Sequence, residues 1–187
     1  LHVINPLRSN YIAEKVDLNG KNVIDVACGG GLLAEAMQKS GAKVTGVDIS
    51  DVAINTAKIH AEKTNCDVTY FNGEAEDLLS DSKGTFDVVT CLEAIEHVPD
   101  PQQLVQTCSD LCKPGGTIVF STINRNPKSF LFAIIGAEYV LGLLPKGTHD
   151  FKKFIKPSEL SSMMRNSNLE VKEIIGMSYN PLTKNYW

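Results

Sequence analysis

The sequence predicts an α/β fold with a mostly parallel sheet and helices on both faces, and three observations carry that prediction. Short apolar runs alternate with helical patterns through the first two thirds of the chain. Gly29-Gly30-Gly31 stands at the first junction from strand to helix. Asp25 and Asp48 fall at or near the ends of the first two apolar runs. A βαβα alternation lays parallel strands side by side under crossover helices. Ligands of such folds sit beyond the carboxyl ends of the strands.

Each element follows from its pattern. Residues 7–16 read as a helix ahead of a strand at 22–26. Residues 32–40 continue as a helix, 43–48 as a strand, 52–64 as a helix and 67–71 as a third strand. Phe86-Asp87-Val88-Val89-Thr90-Cys91 is a fourth strand, bounded by Gly84 and by the acids that follow. Residues 101–112 are amphipathic, with Leu104, Val105, Cys108, Leu111 and Cys112 on one helical face. Lys113-Pro114-Gly115-Gly116 reads as a turn and 117–121 as a fifth strand.

After Ser121 the alternation breaks. Residues 129–144 are strongly apolar, interrupted by Glu138 and two glycines, and flanked by Arg125, Lys128, Lys146, Lys152, Lys153 and Lys156. The run is shorter than the roughly 20 residues that span a bilayer. It fits a buried helix or a lid, and equally an interfacial segment with its lysines toward anionic headgroups. One domain over 1–187 is expected, with about 125–156 set apart as a lid or membrane-contact insertion. Residues 157–167 read as a helix and 169–176 as a sixth strand. No seventh strand follows, so the final strand of this fold is expected to be missing from a fragment.

The glycine turn narrows the ligand. Val23-Ile24-Asp25-Val26-Ala27-Cys28-Gly29-Gly30-Gly31 runs from an apolar strand through an acid into the turn. Glycine reaches positive φ and lets the backbone approach a ligand closely. The N–H groups of the following helix then point at that ligand. Gly29-x-Gly31-x-x-Ala34 satisfies a loose dinucleotide fingerprint, with Asp48 placed for a ribose hydroxyl. The rival is the class I methyltransferase signature, where the acid before the turn serves the cationic methionyl end of S-adenosylmethionine. A carboxylate at Asp25 attracts an ammonium or sulfonium and repels a pyrophosphate. The Rossmann-like methyltransferase reading therefore stands ahead of an NAD-dependent oxidoreductase.

Composition sets the bounds. With 187 residues, 43% of them hydrophobic, the chain is long enough to bury one sizeable core. Its net charge of −4 argues against a nucleic-acid partner. Cys28, Cys66, Cys91, Cys108 and Cys112 form no C-x-x-C pair, so neither a disulfide framework nor a cysteine zinc site is indicated. A reducing compartment fits that usage.

The second dense cluster follows the fourth strand. Glu93, Glu96 and His97 have E-x-x-E-H spacing. On one helical turn those positions share a face. Two carboxylates and an imidazole suit Mg²⁺, Mn²⁺ or Zn²⁺. His97 is alternatively a general base or part of the pocket wall. His60 reads as a surface residue, His2 lies near the terminus, and His149 is a further candidate to face the site.

Taken together, several segments resemble the ubiquinone-biosynthesis O-methyltransferase family. They are Asn5-Pro6-Leu7-Arg8, Asp25-Val26-Ala27-Cys28-Gly29-Gly30-Gly31, Glu93-Ala94-Ile95-Glu96-His97-Val98-Pro99-Asp100 and Pro145-Lys146-Gly147-Thr148-His149-Asp150. Ser121-Thr122-Ile123-Asn124-Arg125-Asn126 and Tyr179-Asn180-Pro181 extend the match over essentially the whole chain. The resemblance implies methylation of catechol hydroxyls on polyprenylated quinone precursors, at two steps, from S-adenosylmethionine. It implies Arg8, Ala27, Asp48 and Leu92 around that cofactor, beside the turn residues Asp25, Gly29 and Gly31. It implies Glu93, Glu96 and His97 as Mg²⁺ ligands, with His97 as the alternative catalytic base. Ala27 departs from the glycine of many members.

A polyprenyl tail accounts for an apolar segment beside the site and for peripheral contact with an anionic membrane. The expected location is the cytoplasmic face of a bacterial inner membrane, or the matrix side of the mitochondrial one, within a quinone-biosynthesis enzyme complex. The rivals are a methyltransferase for another small phenol or lipid, an NAD-dependent oxidoreductase, and a non-enzymatic lipid-bound assembly protein.

Overall fold

Strand β1, Asn22–Val26, is buried in all but its first residue and forms the axis of the molecule. The computed structural model describes residues 4–126 and 151–177, with the backbone of 179–180 and 185–186. Helix α1, Ile4–Lys15, precedes β1. Then come α2 (Leu32–Lys39), β2 (Lys43–Asp48), α3 (Asp51–Thr64) and β3 (Val68–Asn72). A three-ten turn, Ala75–Leu78, leads through the short α4, Leu79–Ser82, to β4, Phe86–Leu92. Beyond a second three-ten turn, Ile95–His97, lie α5 (Pro101–Leu111), β5 (Cys112–Ser121) and α6 (Pro157–Asn166).

The sheet order is β3-β2-β1-β4-β5, and every pairing is parallel. The chain winds from β1 outward to β3, then crosses back to β4 on the other side. That reversal leaves a crevice at the carboxyl ends of β1 and β4, where doubly wound folds bind ligands. The two-residue period of a strand divides the core. Val23 and Val88 face one layer with Ile12, Met37, Ile54 and Ala57; Ile24 and Val89 face the other with Val105, Cys108 and Leu111. Both faces are covered, which is why β1 and β4 read as continuous apolar runs.

Local chemistry sets the element ends. The Ser50 hydroxyl accepts the Ala53 N–H at 3.3 Å, so α3 starts at Asp51. Asn65, at φ 53°, closes that helix. Asp100 accepts the Gln103 N–H at 3.0 Å, and Pro101 takes the first position of α5. Capping residues and N-terminal proline fill these places because the first helical N–H groups lack partners within the helix.

Two expectations differ from the structure. The turn expected at 113–116 lies within β5, where the register shifts between Phe86 opposite Cys112 and Val88 opposite Thr117. The extra residues form a bulge at the start of the strand, with Gly115 at φ 77°. The sixth strand expected at 169–176 is not formed. Apolar alternation makes a strand only where an edge accepts it. Here Glu173 binds the Tyr11 hydroxyl at 2.8 Å and Lys15 at 2.7 Å, drawing the segment to α1 and leaving Ile174 and Ile175 exposed. The last strands, β6 (Tyr179–Asn180) and β7 (Asn185–Tyr186), form their own antiparallel pair. The apolar run 129–144, Lys146 and His149 lie outside the described residues, and among those described no helix is long and apolar enough to cross a membrane.

The glycine turn supplies a stability test. A Cβ on Gly31, at φ 77°, would stand 2.2 Å from the Tyr70 hydroxyl and 3.0 Å from the Ala57 Cβ, whereas Gly29, at φ 54°, has nothing within 4 Å. Gly29→Ala meets conformational strain alone, about 1–2 kcal/mol. Gly31→Ala adds overpacking, for a total of about 2–5 kcal/mol. Urea denaturation of both variants checks this, and equal losses would contradict the steric account.

Candidate active site

Beyond Val26 the backbone turns left-handed at once. Ala27 sits at φ 57°, Gly29 at 54° and Gly31 at 77°. Ala27 is therefore an alanine where glycine is the unstrained residue, at a cost of about 1–2 kcal/mol. The turn is held by the neighbouring strand. Cys28 N–H donates to the Val47 carbonyl at 3.0 Å, and Gly29 N–H donates to Asp48 Oδ2 at 2.9 Å. The other oxygen of Asp48 accepts the Ser50 N–H at 2.9 Å. Gly31 caps α2 with no side-chain hydrogen bond, so that helix presents its first-turn N–H groups at the sheet edge. The tight space around Gly31 explains the third glycine, because Tyr70 and Ala57 pack where a side chain would go.

Asp25 lies beneath this turn and is 3% exposed. Its Oδ1 accepts the Thr90 hydroxyl at 2.6 Å across the β1–β4 pair. Burial pushes its carboxyl up to about 7; the Thr90 bond lowers it and the Asp48 charge raises it. Burial first, then the charges of Asp25 and Asp48, also keep the Cys28 thiol protonated. Cys28 is thus a packing residue of the turn rather than a nucleophile. Ile49 and Val52, 74% and 75% exposed, flank Asp48 and offer apolar surface beside its carboxylate.

At the carboxyl end of β4, Leu92 is half-buried and Glu93 is left-handed at φ 55°. Three bonds to Ser121 of β5 hold it. Glu93 N–H donates to the Ser121 carbonyl at 3.0 Å and to its hydroxyl at 3.2 Å. The same hydroxyl donates to Glu93 Oε1 at 2.7 Å. Arg8, from α1, pairs with that oxygen at 3.1 Å. Helix α1 is itself docked on the turn, since Asn5 Nδ2 donates to the Leu32 carbonyl at 3.0 Å.

Glu96 is 3% exposed. Its Oε1 accepts the Ile123 N–H at 3.3 Å, while its Oε2 and the Thr122 hydroxyl are enclosed without a partner. His97 is exposed at the same edge, its N–H bonded to the Ala94 carbonyl at 2.9 Å. The three potential metal ligands are not gathered into one donor set. Glu93 precedes the three-ten turn rather than lying within a helix, so the shared face of positions i, i+3 and i+4 does not arise. Its carboxylate is turned to Arg8 instead. Among the described residues no group of three or more His, Cys, Asp or Glu side chains is arranged to hold a metal ion, and as placed these residues do not fit a three-ligand Mg²⁺ centre.

The structure thus brings Asp25, Ala27, Gly29, Gly31, Asp48, Leu92 and Arg8 to one edge. Sequence reasoning missed Thr90 and Ser121, the hydroxyls that orient Asp25 and Glu93. Their position at the carboxyl ends of apolar runs was the available signal. His60 is a surface residue as read, its side chain 41% exposed, and it also binds the buried Glu35 at 2.6 Å, with Thr64 on the other carboxylate oxygen at 2.8 Å. A polar-walled cavity lined by Asn22, Lys43, Thr45, Asp67 and Thr85 lies at the opposite, amino-terminal edge and includes none of the site residues.

The chain is similar to known methyltransferases. A methyltransferase-domain family model covers residues 6–174. The chain is 58% identical over 186 residues to the ubiquinone biosynthesis O-methyltransferase of Nitrosospira multiformis, covering all of this chain and 78% of that protein. It is 56% identical to the enzyme of the same name from Stutzerimonas stutzeri, covering 80% of its length. Among solved structures, magnesium protoporphyrin IX methyltransferase from Synechocystis with bound SAH is similar at a TM-score of 0.71 and 20% identity, over 98% of this chain and 78% of that one. That likeness supports the fold. Identity of 58% and 56% to these enzymes, over the whole of this chain, places it in the ubiquinone biosynthesis O-methyltransferase family.

Proposed function

We propose that this protein transfers the methyl group of S-adenosylmethionine to catechol hydroxyls of polyprenylated ubiquinone precursors. Family membership over the full chain carries this reading. The turn supports the cofactor. Left-handed backbone at Ala27, Gly29 and Gly31 gives close approach, and Asp48 stands at the end of β2 for a ribose. The two Asp48 oxygens each hold one backbone N–H, and a carboxylate has about four acceptor sites, so capacity remains. Arg8 suits the cofactor carboxylate; Asp25 suits its ammonium.

S-adenosylmethionine supplies a methyl group activated by its sulfonium. The chain's part is to hold the acceptor oxygen in line with that methyl and to remove its proton. A phenol ionises near 10, so little phenolate exists at neutral pH. His97, exposed at the edge, takes the proton on an imidazole nitrogen as general base. Orientation of the held oxygen lowers the barrier further, by up to several kcal/mol. Magnesium assistance would draw on the unpartnered Oε2 of Glu96 alone, because Glu93 is turned to Arg8 and the three-ligand set is not assembled.

The acceptor's tail supports peripheral membrane contact at the cytoplasmic face of the inner membrane, within a quinone-biosynthesis enzyme complex. Lys152, Lys153 and Lys156 are exposed together beyond Arg125. Replacing the three lysines with glutamate is expected to abolish pelleting with anionic vesicles, and unchanged pelleting would remove the lysines from that role.

The direct test is transfer of labelled methyl from S-adenosylmethionine to a short-tailed demethylubiquinol. Turnover is expected; bound S-adenosylhomocysteine without transfer would overturn the acceptor class. Repetition in EDTA separates the roles at the edge: lost turnover restored by Mg²⁺ assigns a cation, and retained turnover leaves His97 as the base. Asp25 adds a pH test. Its carboxyl is raised to about 7 in the free protein, and a cofactor cation favours the ionised form. S-adenosylhomocysteine affinity should therefore rise with pH below about 7, by up to about tenfold per unit, and level off above it. Calorimetry checks this, and Asp25→Asn should flatten the profile.

A further inference from the structure

We propose that Ser121 is a positioning residue for the cofactor, acting through Glu93 on the guanidinium of Arg8. This rests on the S-adenosylmethionine reading above and extends it to a residue of β5. Ser121 ends that strand, two strands from the glycine turn, so no direct contact with the turn is needed.

The relay is continuous. One hydroxyl serves Glu93 twice, accepting its N–H at 3.2 Å and donating to its Oε1 at 2.7 Å. A serine hydroxyl has one proton to give and lone pairs to accept, so both capacities are engaged on one residue. The Ser121 carbonyl adds a third bond to the Glu93 N–H at 3.0 Å. These bonds hold a non-glycine residue at φ 55°, a conformation that persists only where its surroundings impose it. The oxygen fixed by the Ser121 hydroxyl is the one that receives Arg8 at 3.1 Å. Arginine is a long side chain with many rotamers, and one fixed carboxylate selects among them. Side-chain exposures of 20% for Arg8 and 33% for Glu93 leave the pair reachable from solvent.

The chemistry identifies what the held guanidinium meets. The amino-acid end of S-adenosylmethionine bears a carboxylate, and a guanidinium has five donors in a planar fork, of which Glu93 engages one nitrogen. Helix α1 is docked beside the turn by Asn5, so Arg8 projects from an element already fixed at the cofactor edge. Ser121 sets the carboxylate, the carboxylate sets the guanidinium, and the guanidinium receives the ligand.

Calorimetric titration of S-adenosylhomocysteine into the full chain tests the relay. Ser121→Ala should weaken binding about five- to tenfold, the size of one ordinary hydrogen bond lost, since Ser121 acts through Glu93 and not on the ligand itself. Ser121→Thr, which keeps the hydroxyl, should stay within about twofold of the parent. Ser121→Ala should add little to Glu93→Gln, because members of one chain of contacts are not additive. In turnover, Ser121→Ala should raise the KM for S-adenosylmethionine with kcat nearly unchanged. Parent-like affinity in Ser121→Ala, multiplicative effects with Glu93→Gln, or a loss confined to kcat would each overturn the proposal. If the alanine variant does not fold, Ser121→Cys, similar in size but a weak donor, replaces it with the same expected loss. Failure of the parent itself to bind S-adenosylhomocysteine would overturn the cofactor reading instead.

Discussion

The carboxylate of Asp48 is the contact on which the site depends. One oxygen holds the Gly29 N–H and the other holds the Ser50 N–H, so a single side chain ties the turn after β1 to the start of α3. The turn needs such a hold. It passes through left-handed backbone at Ala27, Gly29 and Gly31, and Ala27 adopts that geometry despite its Cβ. Tyr70 of β3 and Ala57 of α3 crowd Gly31 and leave the loop no room to relax toward them. The cofactor edge is thus shaped by packing and backbone hydrogen bonds that exist without any ligand.

Charge is distributed around that edge in two ways. Asp25 is buried and bonded to a hydroxyl, which makes its ionisation costly and responsive to a nearby cation. Glu93 is half-exposed and already paired with Arg8. An exposed ion pair contributes little to stability, at most about 1 kcal/mol. The value of the Arg8–Glu93 pair therefore lies in orientation. Glu96 is the opposite case, an enclosed carboxylate with an oxygen that has no partner. A group of that kind costs the fold free energy, as residues kept for chemistry often do.

The fold and the turn were legible because their signals are local. Apolar periodicity marked β1, β2 and β4, and the acid and glycines marked the turn at its true position. Signals that depend on a partner misled. The alternation at 169–176 met no sheet edge, and Glu173 went to Tyr11 and Lys15 instead. The E-x-x-E-H spacing assumed one helical turn, whereas Glu93 lies ahead of the three-ten turn and faces Arg8.

What the sequence by itself determined is therefore the order of strands and helices, the cradle after β1, and the acids that stand at the strand ends. These follow from backbone conformation and hydrophobic pattern over a few residues. Tertiary structure alone decided which hydroxyl meets which acid. Thr90 reaches Asp25 across 65 positions, and Ser121 reaches Glu93 across 28. Those pairings come from parallel register, which sets Asp25 beside Thr90 and Leu92 beside Ser121. Register is fixed by the packing of both sheet faces together, a constraint that no local stretch of sequence contains.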